Sequence, residues 1–460
     1  MSSADDVEAV LSTCDNGAAW SRSRKAALHL QAGCARFFSR QVELAVTHWL
    51  KSVAEDPSPQ GFNNLAAVSA APASARYVHL QTLLFPGTVP NAAVAPITKQ
   101  ILAIYTGYSP PFTGATVEQR PVWGSEIAAV KLAESLAPYF DVFVFCPCLN
   151  EEEPTGVNGV KYLHLSYYGA FERAHQVDIL IVSRYIHVFL EFECRAKRIL
   201  LWLHDLVPHY MWRELQLPAD GVPFFVNMLP RIERLLCVSP WHAEAFPARL
   251  GALSPTSAAA IKDKISVMPN ALNPEHFAQL GDVHRVPGRL LFCSDPVRGL
   301  EPLLHIFRNI LETVSGATLH VYWSALPPHL SAAAQAIPGV TFMGKATQAQ
   351  LARAMAAAEL LVYPALSHET YCMVALEAQA AGCIVITRNH TGLTSTAAKG
   401  VLIDGDPSHP DVQVVYTRHA CELLLNPIKR LEKSEAAKAW AFNQTWEKRV
   451  RENWLPLLSQ

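Results

Sequence analysis

Short apolar runs alternate with amphipathic segments along most of the chain from Lys99 onward. A helix is predicted from Ser125 to about Tyr139, because Ile127, Val130, Ala133 and Leu136 share one face. Nearly continuous hydrophobicity in the runs around it is typical of strands buried on both faces of a parallel sheet. The predicted strands are Ile101–Tyr105, Val142–Cys146, Lys161–Leu165, Asp178–Val182, Ile199–Leu203, Leu235–Val238 and Ile265–Met268.

The same alternation starts again after a polar stretch at 280–288. The second set of predicted strands is Leu290–Cys293, Leu319–Trp323, Val340–Met343, Leu360–Tyr363 and Ile384–Thr387. Two doubly wound α/β domains are therefore predicted, at 96–280 and 281–428, with a ligand cleft at the carboxyl ends of their strands. Residues 429–460 are predicted to be a helical tail that crosses back to the first of these domains, with tryptophans at 440, 446 and 454.

Residues 1–95 have a different pattern. They are rich in alanine and have helical apolar spacing, as in Val42, Ala45, Val46 and Trp49, interrupted by prolines. A repeat of roughly thirty residues suggests tetratricopeptide-like helical hairpins, although at least about three repeats usually form a solenoid. A helical extension packed on the next domain is the alternative interpretation.

Composition narrows the class of protein. The chain has 460 residues, of which 50% are hydrophobic and 17% charged, with a formal net charge of −2. This excludes a disordered chain and argues against a polybasic nucleic-acid binder. No secretory signal or membrane-spanning stretch is visible, and ten cysteines lack the spacing of a disulfide framework. A cytoplasmic protein without nucleic-acid partners is predicted, while peripheral membrane contact through a local basic patch stays open.

The segment Glu359–Gly392 carries the strongest chemical pattern. It predicts strand, loop, helix and strand, with Glu369 at the end of the loop and Glu377 inside the helix. Thr370 is predicted to cap that helix and to leave the amides of Tyr371 and Cys372 free for a phosphate. Glu377, about two turns deeper, is placed to accept hydrogen bonds from a ribose diol.

Five motifs in order resemble the retaining GT-B glycosyltransferases of glycosyltransferase family 4. The Glu-x7-Glu pattern, the strand after it (EAQAAGCIVIT) and the upstream VTFMG and ELLVYP runs carry the resemblance in the second domain. The other matching motifs are Trp123-Gly124-Ser125-Glu126, Leu203-His204-Asp205, Met268-Pro269-Asn270-Ala271 and Ser294-Asp295-Pro296-Val297-Arg298-Gly299-Leu300. The resemblance covers about residues 100–455. It implies a GT-B fold of two Rossmann-like domains, with the acceptor mostly on the first and a nucleotide sugar on the second.

The resemblance also assigns roles to residues. His204, Arg298 and Glu369 would be catalytic, with Arg298 on the diphosphate, Glu369 on the hydroxyls of the donor sugar and His204 beside that sugar. The donor would be bound by Gly124, Ser125, Ser294, Thr370, Tyr371, Cys372 and Glu377. Asp205 is a helix cap or an alternate site residue. The family generally needs no metal, so the resemblance implies that no cofactor is required.

Two positions depart from the family's pattern. The first strand of the second domain ends Phe292-Cys293-Ser294, where an arginine is often found, and Arg298 stands where a lysine is usual. The predicted activity is transfer of a sugar from a UDP- or GDP-linked donor to a glycan, lipid-linked or protein acceptor. A GT-B epimerase or phosphorylase, and a degenerate transferase that acts as a scaffold through its helical repeats, are the alternatives.

Overall fold

The computed structural model describes residue 8 and residues 22–38, 41–69, 73–89, 97–107, 109–148, 157–206, 222–253, 255–278, 280–281 and 283–460. Its contacts divide the chain into two compact units. The first unit comprises Met1–Gly114 with Leu136–Leu200, and the second comprises Ala115–Ser135 with Leu201–Gln460. The domain boundaries derived from the sequence divide the chain differently and stay a prediction.

The N-terminal region is helical, as predicted. Its helices are α1 (Arg22–Phe38), α2 (Val42–Glu55), α3 (Pro59–Val68) and α4 (Ala73–Leu84). Ser58 caps α3 by accepting a hydrogen bond from the Gly61 amide. The region packs on the α/β part of its own unit, since the Phe62 and Tyr167 rings meet edge to face and the His175 ring bonds the Leu83 carbonyl at 2.7 Å. The tetratricopeptide-like assignment stays a prediction.

Within the described residues, the first sheet has seven parallel strands in the order β3-β2-β1-β4-β5-β6-β7. Every residue of β1 and β4 is buried, which explains their unbroken hydrophobicity. The strands are β1 (Ile101–Tyr105), β2 (Asp141–Cys146), β3 (Val160–His164), β4 (Ile179–Ser183), β5 (Arg198–Leu203), β6 (Arg234–Cys237) and β7 (Ile265–Val267). The accompanying helices are α5 (Gly124–Leu136), α6 (Tyr168–Ala174), α7 (Val188–Glu191), α8 (Val222–Met228), α9 (Pro240–Leu253), α10 (Pro255–Ile261) and α11 (Glu275–Ala278).

The second sheet has six parallel strands in the order β10-β9-β8-β11-β12-β13 across the described residues. Its strands are β8 (Arg289–Phe292), β9 (Thr318–Tyr322), β10 (Val340–Gly344), β11 (Leu360–Tyr363), β12 (Ile384–Arg388) and β13 (Val401–Ile403). Its helices are α12 (Leu300–Thr313), α13 (Pro328–Gln335), α14 (Gln348–Ala357), α15 (Met373–Ala380), α16 (Leu393–Thr396) and α17 (Pro410–Leu425). The order reverses between β8 and β11, which opens a ligand crevice at their carboxyl ends.

One strand was not predicted, and one predicted helix is shorter than expected. The edge strand β13 was missed, because it has only three residues, two of them partly exposed, and so lacks a long apolar run. The predicted helix from Ser125 to Tyr139 ends at Leu136, and Tyr139 is 52% exposed. The other predicted strands agree with the observed ones to within one or two residues.

The tail is helical, as predicted. Its helices are α18 (Pro427–Ala441), α19 (Trp446–Arg449), a π-helical turn at Val450–Trp454 and α20 (Leu455–Leu458). Trp446 and Trp454 pack edge to face on Trp202 of β5, with ring centroids 6.2 and 5.2 Å away. No helix among the described residues is long and apolar enough to cross a membrane.

Candidate active site

The loops that follow β8 and β11 bring two predicted site residues into direct contact. Arg298 donates a hydrogen bond from Nη1 to Oε1 of Glu369 at 3.0 Å. The Glu369 side chain is 11% exposed and that of Arg298 is 46% exposed, so the carboxylate is fixed while much of the guanidinium faces solvent. A partly exposed cation therefore stands at the crevice between β8 and β11.

Tyr363, the last residue of β11, extends this contact. Its hydroxyl donates to the same Glu369 oxygen at 2.6 Å, and it accepts a hydrogen bond from Ser294 at 3.3 Å. Burial, followed by the charge of Glu369, raises the pKa of the Tyr363 hydroxyl well above its usual range. Tyr363 is thus a neutral donor that holds Glu369 in place.

The turn that carries Arg298 is shaped by its own sequence. Asp295 accepts a hydrogen bond from the Val297 amide, which starts a 3₁₀ turn at Pro296–Arg298. Gly299 follows with φ of +155°, and a Cβ there would lie 2.6 Å from the Pro364 carbonyl oxygen. The Leu366 amide then donates to the Arg298 carbonyl at 2.9 Å. These contacts hold the 3₁₀ turn at Pro296–Arg298 against the loop after β11.

The charge of Arg298 has a partner in the protein. Burial lowers the pKa of its guanidinium, but Glu369, together with Tyr363 and Asp295, more than offsets this effect, so the net shift of the pKa is upward. A cation just before the N-terminus of α12 is unfavourable by itself. Glu369 supplies compensation, so the position of Arg298 does not by itself require an anionic ligand.

Glu377 lies inside α15, behind the same crevice. It is 9% exposed and accepts a hydrogen bond from the Gln348 amide at 3.0 Å. Burial raises the pKa of its carboxyl to about 7, although the bond from Gln348 opposes the shift. Burying a carboxyl group costs free energy unless it is hydrogen-bonded, so additional polar partners such as a diol would stabilise Glu377.

The predicted helix cap at Thr370 is wrong. Helix α15 begins at Met373 with Cys372 at its N-cap, and the Thr370 hydroxyl donates instead to the His204 carbonyl at 2.7 Å. Glu377 is consequently in the second turn of the helix rather than two turns below its mouth. The Thr370 hydroxyl thus bonds a carbonyl that is distant in sequence rather than capping the helix that follows it.

The side chain of Tyr371 makes a structural hydrogen bond, and that of Cys372 is buried in the core. The Tyr371 hydroxyl donates to the Asn270 carbonyl at 2.8 Å, which joins the Met268–Ala271 motif to the loop after β11. Burial raises the pKa of both side chains above their ordinary values. Neither side chain is placed as a ligand group.

His204 and Asp205 follow β5. The His204 ring lies against Trp202, with centroids 4.8 Å apart, and its carbonyl accepts the hydroxyl of Thr370. The Asp205 carbonyl contacts Nε2 of His242 at 3.1 Å. The loop of His204 therefore touches the loop of Glu369 through the backbone.

Gly124 and Ser125 begin α5. Among the residues that the structure describes, a Cβ built on Gly124 would have only Met373 Cγ within 4 Å, at 3.9 Å, so the glycine leaves space in front of α15. The Ser125 hydroxyl donates to Glu126 at 2.9 Å. Backbone access at Gly124 fits the predicted approach to a phosphate.

Tyr363 and Gln348 were missed by sequence reasoning. Gln348 starts α14, where a Thr347–Gln350 capping box explains the helix but gives no sign of Glu377. Tyr363 was read only as the end of a buried strand, although its polar tip at a strand's carboxyl end was an available signal. Among the described residues, no group of three or more His, Cys, Asp or Glu could hold a metal ion.

Comparison with known proteins agrees with this architecture. Residues 287–411 match the family model described as glycosyl transferases group 1. Sucrose-phosphate synthase from Thermosynechococcus elongatus is similar in structure, with a TM-score of 0.59 and 16% identity over 78% of this chain and 98% of that one. HepE from Anabaena, solved with UDP and glucose, has a TM-score of 0.55 and 15% identity over 78% of this chain and 100% of that one.

A third similar structure is WaaG, a glycosyltransferase involved in lipopolysaccharide biosynthesis. Its TM-score is 0.55 and its identity 15%, over 76% of this chain and 98% of that one. At such low identity these likenesses establish the fold alone, and they confirm the predicted GT-B arrangement. No curated protein matches the sequence significantly.

Proposed function

We propose that this chain, which contains a glycosyl transferases group 1 segment within a GT-B fold, moves a sugar from a nucleotide-diphosphate sugar to a hydroxyl with retention of configuration. The observation that carries the proposal is the contact of Arg298 with Glu369 at the carboxyl ends of β8 and β11, where the strand order reverses, together with the buried Glu377 in the helix that follows the loop of Glu369. Glu369 in the loop and Glu377 in the following helix are both buried, and the Arg298 side chain that contacts Glu369 is about half exposed.

The three residues divide the donor between them. Glu377 accepts hydrogen bonds from the ribose diol and exchanges Gln348 for a ligand hydroxyl. Arg298 keeps one Nη on Glu369 and turns its remaining donors to the diphosphate, where it stabilises the charge of the leaving group. Glu369, held by Tyr363, uses its other oxygen for a hydroxyl of the donor sugar.

The remaining steps follow from this arrangement. Gly124 gives the diphosphate access to the start of α5, and His204 lies beside the transferred sugar. The leaving phosphate takes the proton of the acceptor, and Arg298 supplies the positive charge without a metal ion. HepE was solved with UDP and glucose, which makes a uridine nucleotide the first donor to test and a guanosine nucleotide the second.

Thermal unfolding with a panel of nucleoside diphosphates and nucleotide sugars, without added metal, tests the proposal. A nucleotide at about a hundred times its Kd should stabilise the protein by about 2.7 kcal/mol. The shift should disappear in Glu377→Gln and Arg298→Ala. The matched controls are Glu301→Gln and Arg308→Ala, two exposed positions on α12 that should keep the shift.

The outcomes separate the alternatives. A shift with one nucleotide class, followed by product of retained anomeric configuration in an NMR assay, supports the transferase. Binding without turnover of any sugar would favour a degenerate GT-B protein. A folded chain that binds no nucleotide contradicts the proposal and directs attention to the N-terminal helices.

A further inference from the structure

Three aromatic rings meet beside the predicted transfer site. The indole of Trp241 lies 5.7 Å from the His368 ring and 6.4 Å from the His390 ring, and the two imidazoles are 5.2 Å apart, all between centroids. His368 is exposed, while Trp241 and His390 are half-buried. The cluster therefore presents ring surface to solvent. None of these residues has a role in the donor site described above.

Each ring is fixed to a residue of that donor site. His368 directly precedes Glu369 in the loop after β11. His390 precedes Thr391, whose hydroxyl accepts the Glu369 amide at 3.3 Å, and the next amide, of Gly392, donates to the Glu369 carbonyl at 2.8 Å. A Cβ on Gly392 would approach the Thr370 oxygen to 2.3 Å, so the two loops are in tight contact.

Trp241 is anchored from the side of His204. Its neighbour His242 is fully buried, accepts the Val238 amide at Nδ1 and donates from Nε2 to the Asp205 carbonyl. Burial lowers the pKa of His242 to about 4, so this ring is neutral and its tautomer is set by the two contacts. Trp241 is thereby held beside the loop that carries His204.

We propose that Trp241, His368 and His390 form an acceptor subsite that binds a carbohydrate ring. The inference rests on the proposed function and names the class of its acceptor. The weakly positive C–H groups on one face of a pyranose match the negative face of an indole, and imidazoles can donate to and accept from its hydroxyls.

The charges around the cluster favour a neutral ring over a phosphate. Burial, followed by the charges of Arg388 and His368, lowers the pKa of His390, which disfavours the charged form of this imidazole. Arg388, whose charge acts on His390, has Asp406 within 3.9 Å. Because the charge of Arg388 is already partly balanced by Asp406, the cluster is less suited to a phosphorylated acceptor than to a neutral one.

Ligand-observed NMR on the full chain tests the subsite. Methyl glycosides of glucose, galactose, mannose and N-acetylglucosamine serve as probes, with the nucleotide identified by thermal unfolding present at saturation. At least one glycoside should bind the unmodified protein, with strongest saturation transfer to the protons of one ring face. Its affinity should fall about tenfold, or about 1.4 kcal/mol, in Trp241→Ala.

Further variants make the result decisive. Trp241→Phe retains an aromatic face and should keep most of the affinity, while His368→Ala and His390→Ala should each reduce it. Tyr139→Ala, which removes an aromatic ring that is 52% exposed outside the cluster, should change nothing. Nucleotide binding should stay unchanged in all of them.

Three results would overturn the subsite. These are glycoside binding that survives Trp241→Ala, no glycoside binding by a protein that binds nucleotide, and binding of glycerol 3-phosphate, rather than sugar, that is lost in His368→Ala and His390→Ala. Failure of the unmodified protein to bind any nucleotide contradicts the proposed function itself, and the glycoside titration without nucleotide then judges the subsite alone.

Discussion

At the scale of single residues, Glu377 is a carboxyl group whose properties are changed by burial. It is buried in α15 with Gln348 as the hydrogen-bond donor that the described residues give it. Its spacing from Glu369 singled it out in the sequence. Its raised pKa depends on burial by neighbours distant in sequence, which no local pattern encodes.

This raised pKa predicts a pH dependence of stability. Because the folded pKa is about 7 and the unfolded one about 4.5, the folded state binds the proton more tightly, and the free energy of unfolding falls as pH rises between these values. The loss approaches about 3 kcal/mol and should be absent in Glu377→Gln. Urea unfolding at pH 5 and pH 8 measures it.

The control is Glu301→Gln, which removes an exposed carboxylate from α12 and should retain the pH dependence of the unmodified chain. Equal pH slopes in the unmodified chain and Glu377→Gln would contradict a raised pKa at this position.

At the scale of elements, the turn between β8 and α12 shows how backbone geometry places a functional side chain. Arg298 ends a 3₁₀ turn, and Gly299 reverses the chain directly against Pro364. In the sequence, this glycine stands in the Ser294–Leu300 motif that resembles the glycosyltransferase family. It did not indicate that the loop after β11 closes on this turn.

Gly299→Ala should destabilise the protein and weaken nucleotide binding, because a Cβ at positive φ would also collide with the Pro364 carbonyl. The expected cost is about 1–3 kcal/mol in urea unfolding. Gly316→Ala is the matched control: its φ is +86° but nothing lies within 4 Å of the new Cβ, so it should cost about 1 kcal/mol and leave binding intact. Similar losses in both variants would contradict this role for Gly299.

At the scale of the whole molecule, the C-terminal tail is joined to β5 through tryptophans. Trp202 and Trp454 are both fully buried and meet edge to face. Further along the chain, the Leu272 amide donates to the Gln444 carbonyl at 2.7 Å. The tail thus packs against a strand residue that lies more than two hundred positions earlier in the sequence.

Trp454→Ala should lower the free energy of unfolding by about 3–5 kcal/mol, since it removes a large buried side chain. Ile428→Ala, at a position 71% exposed on α18, should change it by less than about 0.5 kcal/mol. Calorimetric unfolding compares the two, and a Trp454→Ala protein as stable as Ile428→Ala would show that the tail packs differently.

The sequence by itself determined the two parallel sheets, most strand positions and the spacing of Glu369 and Glu377 along one loop and helix. These are encoded by short-range pattern: unbroken apolar runs, helical spacing and a fixed separation within one loop and helix. The GT-B arrangement followed from motifs in register, and the fold comparisons confirm it.

Only the tertiary structure decided which side chains meet across that pattern. The Thr370 hydroxyl donates to the His204 carbonyl instead of capping a helix, and Arg298 donates to Glu369. Gln348 donates to Glu377, and the Trp241 ring contacts two histidine rings of other segments. Each of these contacts joins residues of separate elements. Such contacts depend on how loops pack at the ends of strands, a property that local propensity and periodicity do not carry.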